Sequence, residues 1–228
     1  ILGGVGTLIG PWLGAAVLAL LALGAWESHW RAFGVTPSYR NSNGAWAQQR
    51  LRIDHGEGSK TVLIGSSRVL FDVQLPQWQQ ITGERPIQLA LEGTSPVPIL
   101  EDLAADPHFS GRLLIGVAPS LFFSGQAYRG DVLAYTRKQS PSQRVGHWLS
   151  VHLLEPYLAF DDPDFALDTV LKRQPWPVRA GTHPRQAVRK LANSEADRNT
   201  HMWPKLEADA DYRAVARGIW MQMITAPP

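Results

Sequence analysis

The stretch Lys60-Thr61-Val62-Leu63-Ile64-Gly65-Ser66-Ser67-Arg68-Val69-Leu70-Phe71 runs β-favouring apolar residues into a turn of small residues and then resumes an apolar pattern. The run VLIG is continuously apolar, as in a strand covered on both faces; a strand with one wet face would alternate. Downstream, the spacing predicts a helix over 75–81, a strand over 86–91, a helix over 98–105 and a strand over 112–117. Strands alternating with helices at about 30 residues or slightly less are the signature of βαβ units and a parallel sheet, so the expected class is α/β. The run LLIGV repeats the fully apolar strand type. Each strand ends in small or turn-forming residues: Gly65-Ser66-Ser67, Gly93-Thr94-Ser95-Pro96 and Ala118-Pro119-Ser120. In an open parallel sheet these three loops share the carboxyl edge, where ligands bind.

Upstream, residues 1–26 contain no charged side chain, and their centre reads LGAAVLALLALGAW. Roughly 20 apolar residues cross a hydrocarbon core, so residues 1–26 are expected to be a transmembrane anchor. Trp12, Trp26 and Trp30 suit interfacial belts. A buried core helix is the competing reading of the same length, and Trp26 directly after Ala22-Leu23-Gly24-Ala25 disfavours signal cleavage. A single amino-terminal anchor before a large domain is expected to place that domain outside the cytoplasm. Residues 27–59, with one short helical candidate over 46–53, read as a juxtamembrane connector, and 60–228 as the α/β domain. Within it the strand signal fades beyond Phe123, and 124–205 reads as a helical insertion with candidates over 143–160 and 165–173. The segment 174–178 reads as extended, and 208–224 as a last helix.

The chain has 228 residues, 44% of them hydrophobic, enough for one good core and too few to promise two. Lysine and arginine number 22 against 20 acids, spread rather than striped, which offers nothing for a nucleic-acid partner. Zero cysteines excludes a disulfide scaffold and a thiolate metal site. His108, His147, His152, His183 and His201 share no metal-ligand spacing, and Asp161, Asp162, Asp164 and Asp168 read as charges at a helix start, so neither a metal nor a cofactor is expected. The tryptophans outside the anchor are expected in core and interface positions.

A serine on a tight turn between a buried strand and a helix can present its hydroxyl to the sheet edge with backbone N–H groups aimed at the same space. Ser66 and Ser67 are the serines so placed. From the residues alone, Ser67 is either a nucleophile or a small residue that caps the following helix. The α/β-hydrolase elbow G-x-S-x-G is absent, because Val69 stands where the second glycine belongs, and no phosphate-binding loop is present.

The Gly65-Ser66-Ser67-Arg68 block, with LALEGTS and the anchor and connector before it, resembles the SGNH (GDSL-like) hydrolases and acyltransferases, in particular a membrane-anchored bacterial branch. The resemblance covers residues 61–123 best. It implies a three-layer flavodoxin-like parallel sheet and serine-dependent acyl transfer on cell-envelope glycans, in an inner-membrane protein whose domain is periplasmic. It further implies Ser67 as nucleophile, Ser66 in the family's usual aspartate position, and Gly93 as an oxyanion N–H donor. Arg68, beside the same edge, is either a surface charge or a ligand for an anionic substrate. Implied partners are the membrane, an envelope polysaccharide and a membrane acyltransferase. The third block, at Gly116-Val117-Ala118-Pro119, has alanine where the family has asparagine. The fourth, D-x-x-H, is not found, since Asp197-Arg198-Asn199-Thr200-His201 has one residue too many and sits in a polar, strand-poor segment. A fragment ending before that block is therefore expected, itself inactive. A non-catalytic scaffold of an envelope polysaccharide system is the reading from a different class.

Overall fold

Lys60 to Phe71 is built as its apolar pattern demands. In the computed structural model, which describes residues 9–174 and 190–225, β1 (Val62–Ile64) is the centre of a parallel sheet and all three of its side chains are buried. β2 (Ile87–Gln88) and β3 (Leu113–Ile115) flank it in the order β2-β1-β3, with Val62 opposite both Ile87 and Leu113. Pairing with β1 outlasts the short β2 ladder, because the Leu89 and Leu91 N–H groups still donate to Leu63 O and Gly65 O at 2.9 and 3.0 Å.

The pleat sends alternate residues of β1 to opposite faces, and each face has its own helical cover. Val62 and Ile64 pack in one core with Ile87, Leu89, Ile99 and Leu103, under α2 (Asn43–Arg52) and α5 (Val97–Ala104). Leu63 packs on the other side with Val69, Leu70 and Leu75, from α3 (Ser67–Asp72) and α4 (Leu75–Thr82). A helix–sheet–helix sandwich results. The residues expected to form a connector thus supply core side chains: Trp46 is fully buried in the first core and its Nε1 donates to Leu89 O at 2.9 Å. Arg50, one turn on, donates to Asp102 and Asp106 at 2.8 and 2.5 Å, clamping α2 to the end of α5.

Beyond β3 the chain is mostly helical, through α6 (Pro119–Phe122), α7 (Val132–Lys138), α8 (Pro141–Leu149) and α9 (Leu167–Lys172). The segment expected to be strand-poor instead forms an antiparallel hairpin, β4 (Ala192–Ser194) with β5 (Thr200–Met202). Its strands are three residues long and polar, so neither length nor alternation announced them. The hairpin closes the outer edge of β2. Arg198, buried and in the left-handed region at φ 67°, donates to Gln88 O at 2.7 Å and Ala90 O at 2.8 Å, the carbonyls that face away from β1. Ala90 N donates to the Gln88 side chain at 3.1 Å. A guanidinium and an amide thus stand where another strand would bond, which hides an edge that would otherwise invite pairing. α10 (Lys205–Ala208) and α11 (Ala210–Thr225) end the chain; Gln174 closes the turn after α9, while 175–178 and His183 lie outside the described residues.

The amino-terminal apolar run forms α1 (Ile9–Phe33), long and apolar enough to cross a membrane, with Trp12, Leu13, Leu18, Leu20 and Leu21 exposed. Its last two turns belong to the domain. Trp26 Nε1 donates to Phe165 O at 3.3 Å, the Glu27 carboxylate accepts the Ala159 and Phe160 N–H groups at 3.0 Å each, and Arg31 donates to Tyr157 O at 2.7 Å. Trp30 and Phe33 then pack into an aromatic cluster with Phe165, Trp203 and Tyr212.

Candidate functional site

The turn after β1 is tight because three small groups meet there. Gly65 has φ +153°, and a Cβ on it would lie 2.5 Å from Val69 Cγ2 and 3.1 Å from Gly116 O. A Cβ on Gly116 would lie 2.0 Å from the same Val69 methyl. Gly116 N donates to Ile64 O at 2.9 Å, so the ends of β1, β2 and β3 lie side by side and their loops share one sheet edge.

Ser66 is buried in extended backbone just before α3, with no side-chain capping bond, and Ser67 is the first residue of that helix. Ser67 is half-buried, Arg68 is exposed, and among the described residues neither side chain has a hydrogen-bond or ion-pair partner. The small-residue reading of Ser67 as a cap by its hydroxyl is therefore not what the geometry shows. Gly93 follows β2 at φ +57°, a conformation glycine adopts at no steric cost. Its N–H makes no hydrogen bond to the described residues, whereas its carbonyl accepts the Tyr128 N–H at 3.4 Å.

The loop carrying Gly93 is roofed by a segment that the sequence did not mark. Ser95 N donates to Gln126 O at 2.7 Å, Arg129 N donates to Thr94 Oγ1 at 2.9 Å, and the Tyr128 Cβ lies 3.3 Å from where a Gly93 Cβ would stand. In the third loop Ala118 precedes α6 and offers no polar side chain, while Val117 and Phe123 are exposed. Among the described residues the edge thus combines the unengaged Ser67 hydroxyl and Gly93 N–H with apolar walls.

Behind it lies a polar network that sequence reasoning also missed. Arg129 donates to Glu92 Oε1 at 3.0 Å, Asn41 O at 3.0 Å and Asn43 Oδ1 at 2.7 Å, and Asn41 in turn donates to Glu92 Oε2 at 3.0 Å. Arg198 joins through Asn41 Oδ1 at 3.0 Å. Burial, with Arg129 alongside, pushes the Arg198 guanidinium down to about 9 against the pull of Glu92, so it stays charged at neutral pH. With its two terminal nitrogens turned to the Gln88 and Ala90 carbonyls and to Asn41, and its Nε without a partner among the described residues, Arg198 braces the Gly93 loop from below. No motif could have revealed it, since its partners lie 108 and 110 residues away in sequence.

Three of the described histidines are engaged away from Ser67. His108 meets Asp106 at 3.1 Å, His152 meets Trp148 O at 2.8 Å, and burial lowers the pKa of His147, which lies against Gly44. His201 is on β5, which runs beside α3, and the Asn199 side chain before it accepts the Leu75 N–H at 2.9 Å. Among the described residues Asp54, Asp106 and His108 could group their ligand atoms, yet Arg50 already holds Asp54 at 3.2 Å and Asp106 at 2.5 Å, which makes this an ion-pair clamp. The aspartates expected to charge a helix start all form ion pairs, Asp161 with Arg40, Asp162 with Lys190, Asp164 with Arg173 and Asp168 with Lys172, and Asp168 does stand in the first turn of α9. A cavity of about 430 Å³ lies away from the sheet edge, at the foot of α1 between Trp30, Phe33, Phe165 and Tyr212.

No protein-family model, no curated protein and no solved structure matches the chain.

Proposed function

We propose that the chain is a membrane-anchored SGNH-like domain whose chemistry, where it runs, is acyl transfer by Ser67 on cell-envelope glycans at the outer face of a bacterial cytoplasmic membrane. The observation that carries this reading is the shared sheet edge: a serine with an unengaged hydroxyl on the first turn of α3, beside a left-handed Gly93 whose N–H is unspent. Ser67 Oγ would attack an ester carbonyl, forming the C–O bond of an acyl-enzyme, while the N–H groups of Ser67 and Gly93 receive the oxyanion. Expulsion of the alcohol and transfer to a glycan hydroxyl would regenerate the serine. Among the described residues no histidine hydrogen-bonds Ser67, and a base that takes its proton would complete the site. Arg68 is exposed next to the nucleophile, where it suits an anionic group of the acceptor.

A second reading, a non-catalytic scaffold for an envelope polysaccharide or a membrane acyltransferase, is favoured by Ala118 in the loop where a side-chain oxyanion donor would belong. Labelling of the full-length protein with a fluorophosphonate probe separates the two. Catalysis predicts labelling that Ser67→Ala abolishes; labelling that survives Ser67→Ala overturns the assignment, and no labelling of the wild type supports the scaffold.

A further inference from the structure

α8 continues without a break into a π-wound turn over Ser150–Leu154, 9 and 5 residues that make a rod about 20 Å long. Its polarity is inverted. A surface helix of a soluble domain turns its apolar stripe inward. Here His147 is the inward residue, against Gly44, and the turn is pinned from inside by buried Glu155, which accepts Ser150 Oγ at 2.8 Å and Arg40 N at 3.1 Å. Outward stand Val145, Trp148, Leu149 and Leu153, at the i, i+3, i+4 and i+8 positions of one stripe, with Trp148 51% and Leu153 55% exposed. Tyr157 extends the stripe past the rod.

The stripe ends where α1 joins the domain. Tyr157 O accepts Arg31, and the next N–H groups, of Ala159 and Phe160, go to Glu27. From Val132 to Leu154 there is no acidic residue, while Lys138 and Arg144 are exposed. An outward tryptophan–leucine stripe flanked by cations and continuous with the foot of an anchor has the chemistry of a helix lying in an anionic bilayer surface. We propose that α8 and its π-turn form a second membrane contact, seated among the headgroups of an anionic bilayer beside the exit of α1. The proposal rests on the reading of α1 as a membrane anchor.

The chain has no cysteine, so single-cysteine variants report one place at a time. Full-length protein would be reconstituted in vesicles of phosphatidylcholine and phosphatidylglycerol. An environment-sensitive fluorophore would be attached to Leu153→Cys, to Val17→Cys within α1, or to Gln80→Cys on exposed α4. The expected result is quenching of the 153 probe by shallow spin-labelled lipid, with aqueous iodide quenching it at least about twofold less than the 80 probe. A 153 probe as open to iodide as the 80 probe, with the 17 probe quenched by lipid, overturns this contact and leaves the anchor standing. A 17 probe open to iodide overturns both. Shielding from iodide without lipid quenching at 153 means that protein covers the stripe, and it too overturns the proposal.

Discussion

Gly116 remains glycine because of one methyl group. Its missing Cβ would overlap Val69 Cγ2, and Val69 in turn is fixed in the core between β1 and α3. Gly116→Ala is expected to cost about 2 kcal/mol by overpacking. Removing the offending methyl in Gly116→Ala/Val69→Ala should return part of it, so that the double variant loses less than the sum of the singles in denaturant unfolding; additive losses would place the strain elsewhere. Arg198 presents the opposite case, a residue kept for what it donates. Arg198→Met strands the buried carbonyls of Gln88 and Ala90 and should cost about 3 kcal/mol, and Arg198→Lys should recover only a fraction because an ammonium lacks the fork that spans both. The placement of Ser67 and Gly93 on loops at the sheet edge was legible because each follows an apolar run; the contacts of Arg198 and Arg129 were not, because they arise from folding that brings distant segments onto one loop.

Among the elements, α2 was legible as a helix and illegible as part of the core. Half of its sequence, NGAWAQQRLR, is polar, and the buried Trp46 ties it to the sheet while the Arg50 clamp ties it to α5. Burial of Arg50 with Asp102 and Asp106 makes the clamp costly to halve: Arg50→Ala leaves Asp106 with the His108 N–H and Asp102 with Arg137 in place of a guanidinium shared between them, and is expected to lose about 3 kcal/mol. The same region gives the domain an acid limit. The Arg52 guanidinium, helped by Lys60 against partial burial, holds the Glu57 carboxyl down to about 2. Burial works to raise Asp106, but the His108 N–H and Arg50 outweigh it and keep it below the usual range. Both carboxylates bind protons more weakly folded than unfolded. For Glu57 the stabilisation is complete above about pH 4.5 and is lost as pH falls toward about 2, and the Asp106 contribution is lost in the same direction, as acid protonates it. Unfolding midpoints measured across that window should decline for the wild type and decline less for Glu57→Gln, which starts lower.

For the molecule as a whole, alternation of strand and helix from Lys60 to Ile115 was readable because the β runs are apolar apart from Gln88 and the loops after them begin in small residues. The hairpin at Ala192–Met202 was not, since its strands draw their place from Arg198 and from Asn199 on Leu75 rather than from a pattern of their own. A chain begun at Ser59 keeps the whole sheet yet removes Trp46, Ile53 and the Arg50 clamp. It is expected to lose its near-ultraviolet circular dichroism while keeping helical signal in the far ultraviolet.

The Glu27 carboxylate on the Ala159 and Phe160 N–H groups makes α1 a shaft keyed to the domain. Torque applied at one end must appear at the other. One residue inserted after Leu21 would turn the shaft below it by about 100° relative to the domain and lengthen it by about 1.5 Å. For a shaft surrounded only by fluid acyl chains every angle is equivalent, and the insertion is silent. For one that meshes with another span, the teeth no longer align. The angular phase of α1 against the domain would therefore record whether α1, as a membrane span, stands alone or against another.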